Sequence, residues 1–244
     1  MRPYDPTEPL IFVHVPKCAG TTVRAVFRDW FGGAGKEGGG GLIPHYVDEH
    51  KGIDPPRYDL KNLHRPERPI CLYGHFGHAR GLNIAARYPD QRQFMTILRD
   101  PFEQALSNYF FLKKDSPNWR REIALPASAE AFLLGQKLTF LQHFPRDLTR
   151  DNYREVIESM LIEVGIAERL PETLVRFAQK LGKTVAPAHH RRLNSTPRDP
   201  AALPADPDAL RAQHQDANPL EYEVYDYALR RFEAPSLSSS PAAD

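Results

Sequence analysis

The segment His14 to Thr22 (HVPKCAGTT) gathers a lysine, a glycine and two threonine hydroxyls within nine residues. Such a set suits an oxyanion. Gly20 permits close backbone approach, Thr21 and Thr22 add hydroxyl donors to the unsatisfied N–H groups of a helix start, and Lys17 supplies one full positive charge. Threonine also caps helices routinely, but a cap explains neither Lys17 nor the Ala19–Gly20 pair. A second set lies in Leu98 to Tyr109 (LRDPFEQALSNY), where Arg99 offers a planar fork of donors to phosphate and Ser107 a neutral one. Asp100 reads as the cap of the helix that follows rather than as a catalytic group. Between the two sets, Leu72 to His78 (LYGHFGH) brings His75, whose imidazole has an ordinary pKa near ~6.5 and can take a proton near neutral pH. His14 and His78 are weaker candidates for that role. No histidine pattern of the H-E-x-x-H kind and no paired thiolates are present, so no metal is expected.

Elements that could position these residues are legible around them. Leu10–Val15 is a short apolar run between prolines, and Thr22–Phe31 places Val23, Val26, Phe27 and Trp30 at helical spacing, which reads as strand, tight loop, helix. Ile70–Tyr73 and Phe94–Leu98 are further buried-strand candidates, and the second leads through Arg99-Asp100-Pro101 into a helix over Phe102–Leu112. A capped helix start at Ser128–Phe132, a helix over Asp151–Met160, a strand over Leu161–Gly165 and a helix over Pro171–Leu181 ended by Gly182 follow. Pro219–Phe232 reads as a closing helix. The alternation predicts an α/β domain with a central parallel sheet flanked by helices, its ligands at the carboxyl ends of the strands. The glycine-rich stretch Gly32–Gly41 is expected to be a mobile connection, and 187–206 a long loop, basic and then proline-rich.

Composition sets the outer limits. At 244 residues one domain is the expectation, here 10–233, with disordered ends at 1–9 and 234–244. The net charge of +1 advertises neither nucleic acid nor an anionic membrane, so an anion site has to be a local cluster. No apolar run approaches the ~20 residues of a bilayer span, and no signal peptide is recognisable. Cys18 and Cys71, 53 positions apart, fit neither a disulfide framework nor a metal site, which makes a reducing cytoplasm the simpler compartment.

In a phosphate-binding loop of the form G-x-x-x-x-G-K-S/T the lysine follows the glycine, whereas here Lys17 precedes Gly20. The segment instead resembles the 5′-phosphosulfate loop of sulfotransferases that use 3′-phosphoadenosine 5′-phosphosulfate (PAPS). The likeness is nearest to carbohydrate sulfotransferases of the heparan sulfate 2-O/6-O type, whose loop reads H-x-P-K-x-A-G-T-S/T. Every fixed position is filled, Pro16 and Ala19 included, and Cys18 stands at a free one, so no chemistry attaches to its thiol. Leu98 to Tyr109 resembles the family's 3′-phosphate motif, L-R-D-P-x-x-R-x-x-S-x-Y, with Gln104 where many relatives carry arginine. His75 lies in a G-H segment similar to theirs, although some members use glutamate as base. Val164 to Leu174 resembles a segment after a late core strand and reads as mainly structural, while Arg191 and Arg192 fall in a stretch similar to the loop that closes over the nucleotide.

The resemblance, running from about Leu10 to Phe232, implies PAPS as co-substrate held by Pro16, Lys17, Ala19, Gly20, Thr21, Thr22, Arg99, Ser107, Arg191 and Arg192. It implies His75 as base, Lys17 as charge stabiliser and a carbohydrate or other hydroxyl acceptor, with no metal, no nucleic acid and no membrane insertion. A nucleotide-dependent kinase is the rival enzyme, disfavoured by the lysine order. A non-catalytic PAPS- or glycan-binding module of the same fold is the rival of another class, disfavoured by the presence of both Lys17 and His75.

Overall fold

The computed structural model describes residues 1–33, 41–48, 51–78, 81–119, 125–135, 140–190 and 203–234. Five strands form one sheet: β1 (Leu10–Val13), β2 (Gly41–His45), β3 (Ile70–Gly74), β4 (Phe94–Leu98) and β5 (Leu161–Ile166). All pairings are parallel and the spatial order is β2-β3-β1-β4-β5. The four strands read from apolar runs are buried along their whole length, as a parallel sheet covered on both faces requires. β2 escaped the sequence pattern because Gly41 and Pro44 interrupt it. It is an edge strand, where a residue without an N–H is tolerated, and Pro44 is its one exposed position.

Helices α1 (Gly20–Phe31), α2 (Leu60–Leu63), α3 (Ile84–Arg87), α4 (Pro101–Trp119), α5 (Ala129–Gly135), α6 (Tyr153–Met160), α7 (Leu170–Leu181), α8 (Pro207–Ala217) and α9 (Pro219–Glu233) complete the described architecture. Phe12 at the sheet centre stacks on Tyr73 at 4.5 Å and meets Phe27 of α1 and Phe177 of α7 edge-on, at 4.8 and 5.8 Å. α8, between the expected loop over 187–206 and the expected closing helix, was not read because it buries only Leu210 and His214. Asp206 starts it, accepting the N–H of Ala209 at 3.0 Å, with Pro207 in the first turn.

Residues 1–9 form no helix or strand and lie against the amino-terminal edge of the sheet. The fully buried Gln93 amide needs partners and finds them there, donating to the carbonyls of Asp5 and Glu8 at 2.9 and 3.0 Å and accepting the Asp5 N–H at 2.6 Å. The Arg2 N–H reaches the Leu161 carbonyl at 3.1 Å. Most of the glycine-rich stretch, 34–40, and the end of the chain, 235–244, lie outside the described residues.

α7 packs directly on β5. A Cβ at Gly165 would lie 2.2 Å from Thr173 Cγ2 and 2.7 Å from Phe177 Cζ, and Thr173 Oγ1 fastens the strand end by accepting the Ile166 N–H and donating to the Ile166 carbonyl, both at 2.9 Å. Gly165→Ala is therefore expected to lower the unfolding free energy by about 1–3 kcal/mol through overpacking. Equilibrium unfolding in urea checks this as a lower midpoint at an unchanged slope.

Candidate active site

β1 connects outward to β2 and β4 connects to the opposite side, to β5, so the carboxyl ends of β1 and β4 flank the point where the strand order reverses. The Lys17 and Arg99 segments leave the sheet there. A cleft of about 650 Å³ opens between them, lined by Pro16, Lys17, Ala19, Gly20, Thr21, Thr22, His75, Arg99 and Ser107. These are all the site residues singled out in the sequence except Arg191 and Arg192, which lie outside the described residues.

The first loop is held in an uncommon shape. Lys17 and Ala19 have φ of 66° and 59°, left-handed values that cost non-glycine residues roughly 1–2 kcal/mol each. Side chains from neighbouring elements fix it: Gln104 Nε2 donates to the Pro16 carbonyl at 3.0 Å, Arg99 Nη1 to the Lys17 carbonyl at 3.3 Å, and Tyr73 Oη to the Gly20 carbonyl at 2.7 Å. Gln104, at the position where arginine is frequent in the resembled motif, thus braces the first loop. Ala19 occupies the N-cap of α1, so neither threonine caps the helix. Lys17 Nζ sits 4.0 Å from the centre of the Phe111 ring. Cys18 is enclosed and burial pushes its thiol pKa far up, which leaves it without nucleophilic character.

Arg99 leaves the end of β4 among carboxylates. Its Nη2 lies 3.3 Å from Glu103 Oε2 and its Nε 3.9 Å from Glu168 Oε1. Asp100 Oδ1 accepts the Glu103 N–H at 2.9 Å, the capping contact expected of it. Ser107 is buried two turns further along α4, on the cleft side.

His75 follows β3 and is placed by its own backbone, whose N–H donates to the His45 carbonyl at 3.0 Å. Gly74 makes that approach possible, since a Cβ there would lie 1.8 Å from the same carbonyl oxygen. The His75 ring lies 4.5 Å from that of His14 and 4.8 Å from that of Tyr46, and His14 Nδ1 shares a 2.8 Å hydrogen bond with the Tyr46 hydroxyl. Burial, then the nearby His75, His143, Arg24 and Lys17, hold the His14 pKa well below its ordinary value. His45 Nδ1 donates to the His75 carbonyl at 3.2 Å and His143 Nδ1 to the Phe76 carbonyl; burial lowers both pKa values to about 4. The imidazoles on or next to this segment, His14, His45 and His143, are thus neutral at physiological pH. His78, the other alternative, pairs with Asp147 at 3.0 Å in an exposed position and does not line the cleft.

Sequence reasoning missed the far wall. Ala167, Leu170, Pro171 and Leu174, from the end of β5 and the start of α7, form an apolar side to the cleft, where the 164–174 segment had read as mainly structural. Leu170 and Leu174 have the i, i+4 spacing of an ordinary core stripe, so no signal separated the two uses. Glu103 and Glu168 were missed as well, Glu103 because it fills a free position of the second segment and Glu168 because its segment had read as mainly structural. His189 reaches the cleft with its ring engaged: Nε2 lies 3.0 Å from Asp29 Oδ2, and Nδ1 accepts the Ala186 N–H at 3.1 Å. Among the described residues no group of three or more histidine, cysteine or acidic side chains could hold a metal ion, and no helix is long and apolar enough to cross a membrane.

No protein-family model matches the sequence, and no curated protein matches it. Among solved structures, the chain is similar to the mouse sulfotransferase SULT7A1 crystallised in complex with PAP, with a TM-score of 0.50 and 14% sequence identity over 92% of this chain and 89% of that one. A parallel five-stranded sheet whose central strand leads through a tight loop into a helix defines a P-loop-like architecture. More narrowly, the fold is that of the sulfotransferases.

Proposed function

We propose that the chain is a PAPS-dependent sulfotransferase that moves a sulfuryl group to a hydroxyl, with a carbohydrate or glycoconjugate as acceptor. One observation supports this above all. A single cleft at the strand-order reversal collects two separate anion-binding groups, the Lys17 loop and the Arg99–Ser107 pair, together with one imidazole, His75. Two anions at a distance are what distinguishes PAPS from a simple adenylate, and a cleft of about 650 Å³ has the size of an ordinary cofactor site.

The residues present fit that molecule. The first N–H groups of α1, Lys17, Thr21 and Thr22 would hold the 5′ end, Arg99 and Ser107 the 3′-phosphate, and the apolar wall of Ala167, Leu170 and Leu174 the flat adenine. PAPS, when bound, supplies an activated sulfuryl group with 3′,5′-ADP as its leaving group. Lys17 and the free loop N–H groups would serve the departing side, where negative charge would grow, and donors already held in place stabilise such charge with little rearrangement. His75 takes the proton from the acceptor hydroxyl as that oxygen forms its new bond. The carbohydrate acceptor is supported by the H-x-P-K-x-A-G-T-T and G-H segments.

Calorimetric titration of 3′,5′-ADP, 5′-AMP and ATP into the wild type and Arg99→Ala tests the assignment. The wild type is expected to prefer 3′,5′-ADP. Loss of the charged hydrogen bonds from Arg99 should weaken that ligand by roughly tenfold to a hundredfold, and 5′-AMP far less, through the Lys17 carbonyl that Arg99 also holds. Equal binding of all three ligands, or preference for ATP, would overturn the assignment in favour of a kinase-like enzyme.

A further inference from the structure

Arg99 faces a difficulty as a phosphate ligand. Glu103 and Glu168 already lie within 3.3 and 3.9 Å of its guanidinium, and Asp100 is the next residue in the chain. A 3′-phosphate entering this corner meets carboxylates of its own sign, which oppose it in the partly dehydrated cleft. Glu168 is drawn aside by its own partners, accepting the Asp100 N–H at 3.1 Å and the Tyr225 hydroxyl at 3.2 Å. Asp100 and Glu103 are met by a second arginine, from a helix the sequence did not disclose.

Arg211, on α8, does not line the cleft. Its Nη1 lies 2.8 Å from each carboxylate oxygen of Asp100, and its Nη2 lies 3.6 Å from Glu103 Oε1. The guanidinium is seated 4.6 Å from the centre of the Phe102 ring, a stacking contact that fixes its plane. Glu103 is therefore shared, with Oε2 toward Arg99 and Oε1 toward Arg211.

We propose that Arg211 is a positioning residue for the 3′-phosphate site: it holds Asp100 and Glu103 so that their charge is not set against the phosphate and Arg99 can turn to it. The inference rests on the sulfotransferase assignment above, and it gives α8 a part in nucleotide recognition that no motif assigns. Removing Arg211 leaves Glu103 with Arg99 as its remaining arginine partner of the pair, so the ligand must compete with an internal carboxylate.

The test titrates 3′,5′-ADP and 5′-AMP into the wild type, Arg211→Ala, Glu103→Gln and the double variant. Arg211→Ala is expected to weaken 3′,5′-ADP about tenfold while leaving 5′-AMP unchanged, the loss corresponding to one charge-assisted contact. Adding Glu103→Gln to it should restore most of the affinity, because the competing charge is gone; a role confined to bracing α8 against α4 would not be rescued that way. Unchanged 3′,5′-ADP affinity in Arg211→Ala, equal loss of both ligands, or failure of the double variant to recover would each overturn the proposal. If the wild type itself does not distinguish 3′,5′-ADP from 5′-AMP, the sulfotransferase assignment fails first.

Discussion

Gly20→Ala is expected to lower both 3′,5′-ADP affinity and turnover by at least about a hundredfold, the scale of loss when a site is displaced by an ångström. A Cβ at this position would lie 1.9 Å from both Cδ2 and Nε2 of His14. Neither side can yield easily. The His14 ring is held by the 2.8 Å bond to the Tyr46 hydroxyl and by its 4.5 Å contact with His75, while the Gly20 carbonyl is held by Tyr73. The backbone on the other side already carries Ala19 and Lys17 in left-handed conformations, so little conformational slack remains. Relief must come either from the loop, moving Lys17 and the helix-start donors, or from His14, moving the neighbour of the proposed base. Titration of 3′,5′-ADP and a sulfuryl-transfer assay check the outcome, and Gly165→Ala serves as the control. That substitution overpacks the interior against α7 without touching the loop, so it should reduce stability and affect nucleotide affinity far less than Gly20→Ala. Wild-type affinity in Gly20→Ala would show that the close approach of His14 does not set the loop.

The central strands, and the placement of the Lys17 and Arg99 segments at strand ends, were legible because each uses a local signal. β1, β3, β4 and β5 are short apolar runs bounded by turn residues, and Lys17 to Thr22 and Arg99 to Ser107 each lie within a few residues of a strand end. β2 was not legible, since an edge strand tolerates Pro44 and pairs on one side only. α8 was not legible either, because a helix that buries two residues leaves no apolar stripe to read. What the sequence conceals at the site is of a different kind. Sharing of Glu103 between Arg99 and Arg211, and the bracing of the Pro16 carbonyl by Gln104, join residues 108 and 88 positions apart, and no spacing rule encodes a contact of that range. The His14 contact with Gly20 is closer in sequence but depends on the turn between them, whose left-handed Lys17 and Ala19 run against the preference of their residue types.

His75→Asn is expected to reduce kcat by about 10²- to 10⁴-fold, the usual contribution of a positioned base, while 3′,5′-ADP affinity stays at the wild-type value. The split between binding and turnover is what separates a base from a wall residue. The pH profile gives a second reading. The imidazoles around His75 do not add charge near neutrality, because burial holds His14 well below its ordinary pKa and His45 and His143 at about 4. Their effect on stability has a definite sign: with folded pKa values below the unfolded value near ~6.5, the unfolded chain binds more protons as pH falls, so stability declines from about pH 6.5 toward pH 4. The acid limb of wild-type activity should therefore track the loss of the folded state. His75→Asn should keep that limb at its lower rate, with circular dichroism locating the unfolding step. A variant that keeps wild-type turnover would move the base role to His14, the other imidazole in contact with His75 that lines the cleft, and His14→Asn would then show the loss in its place.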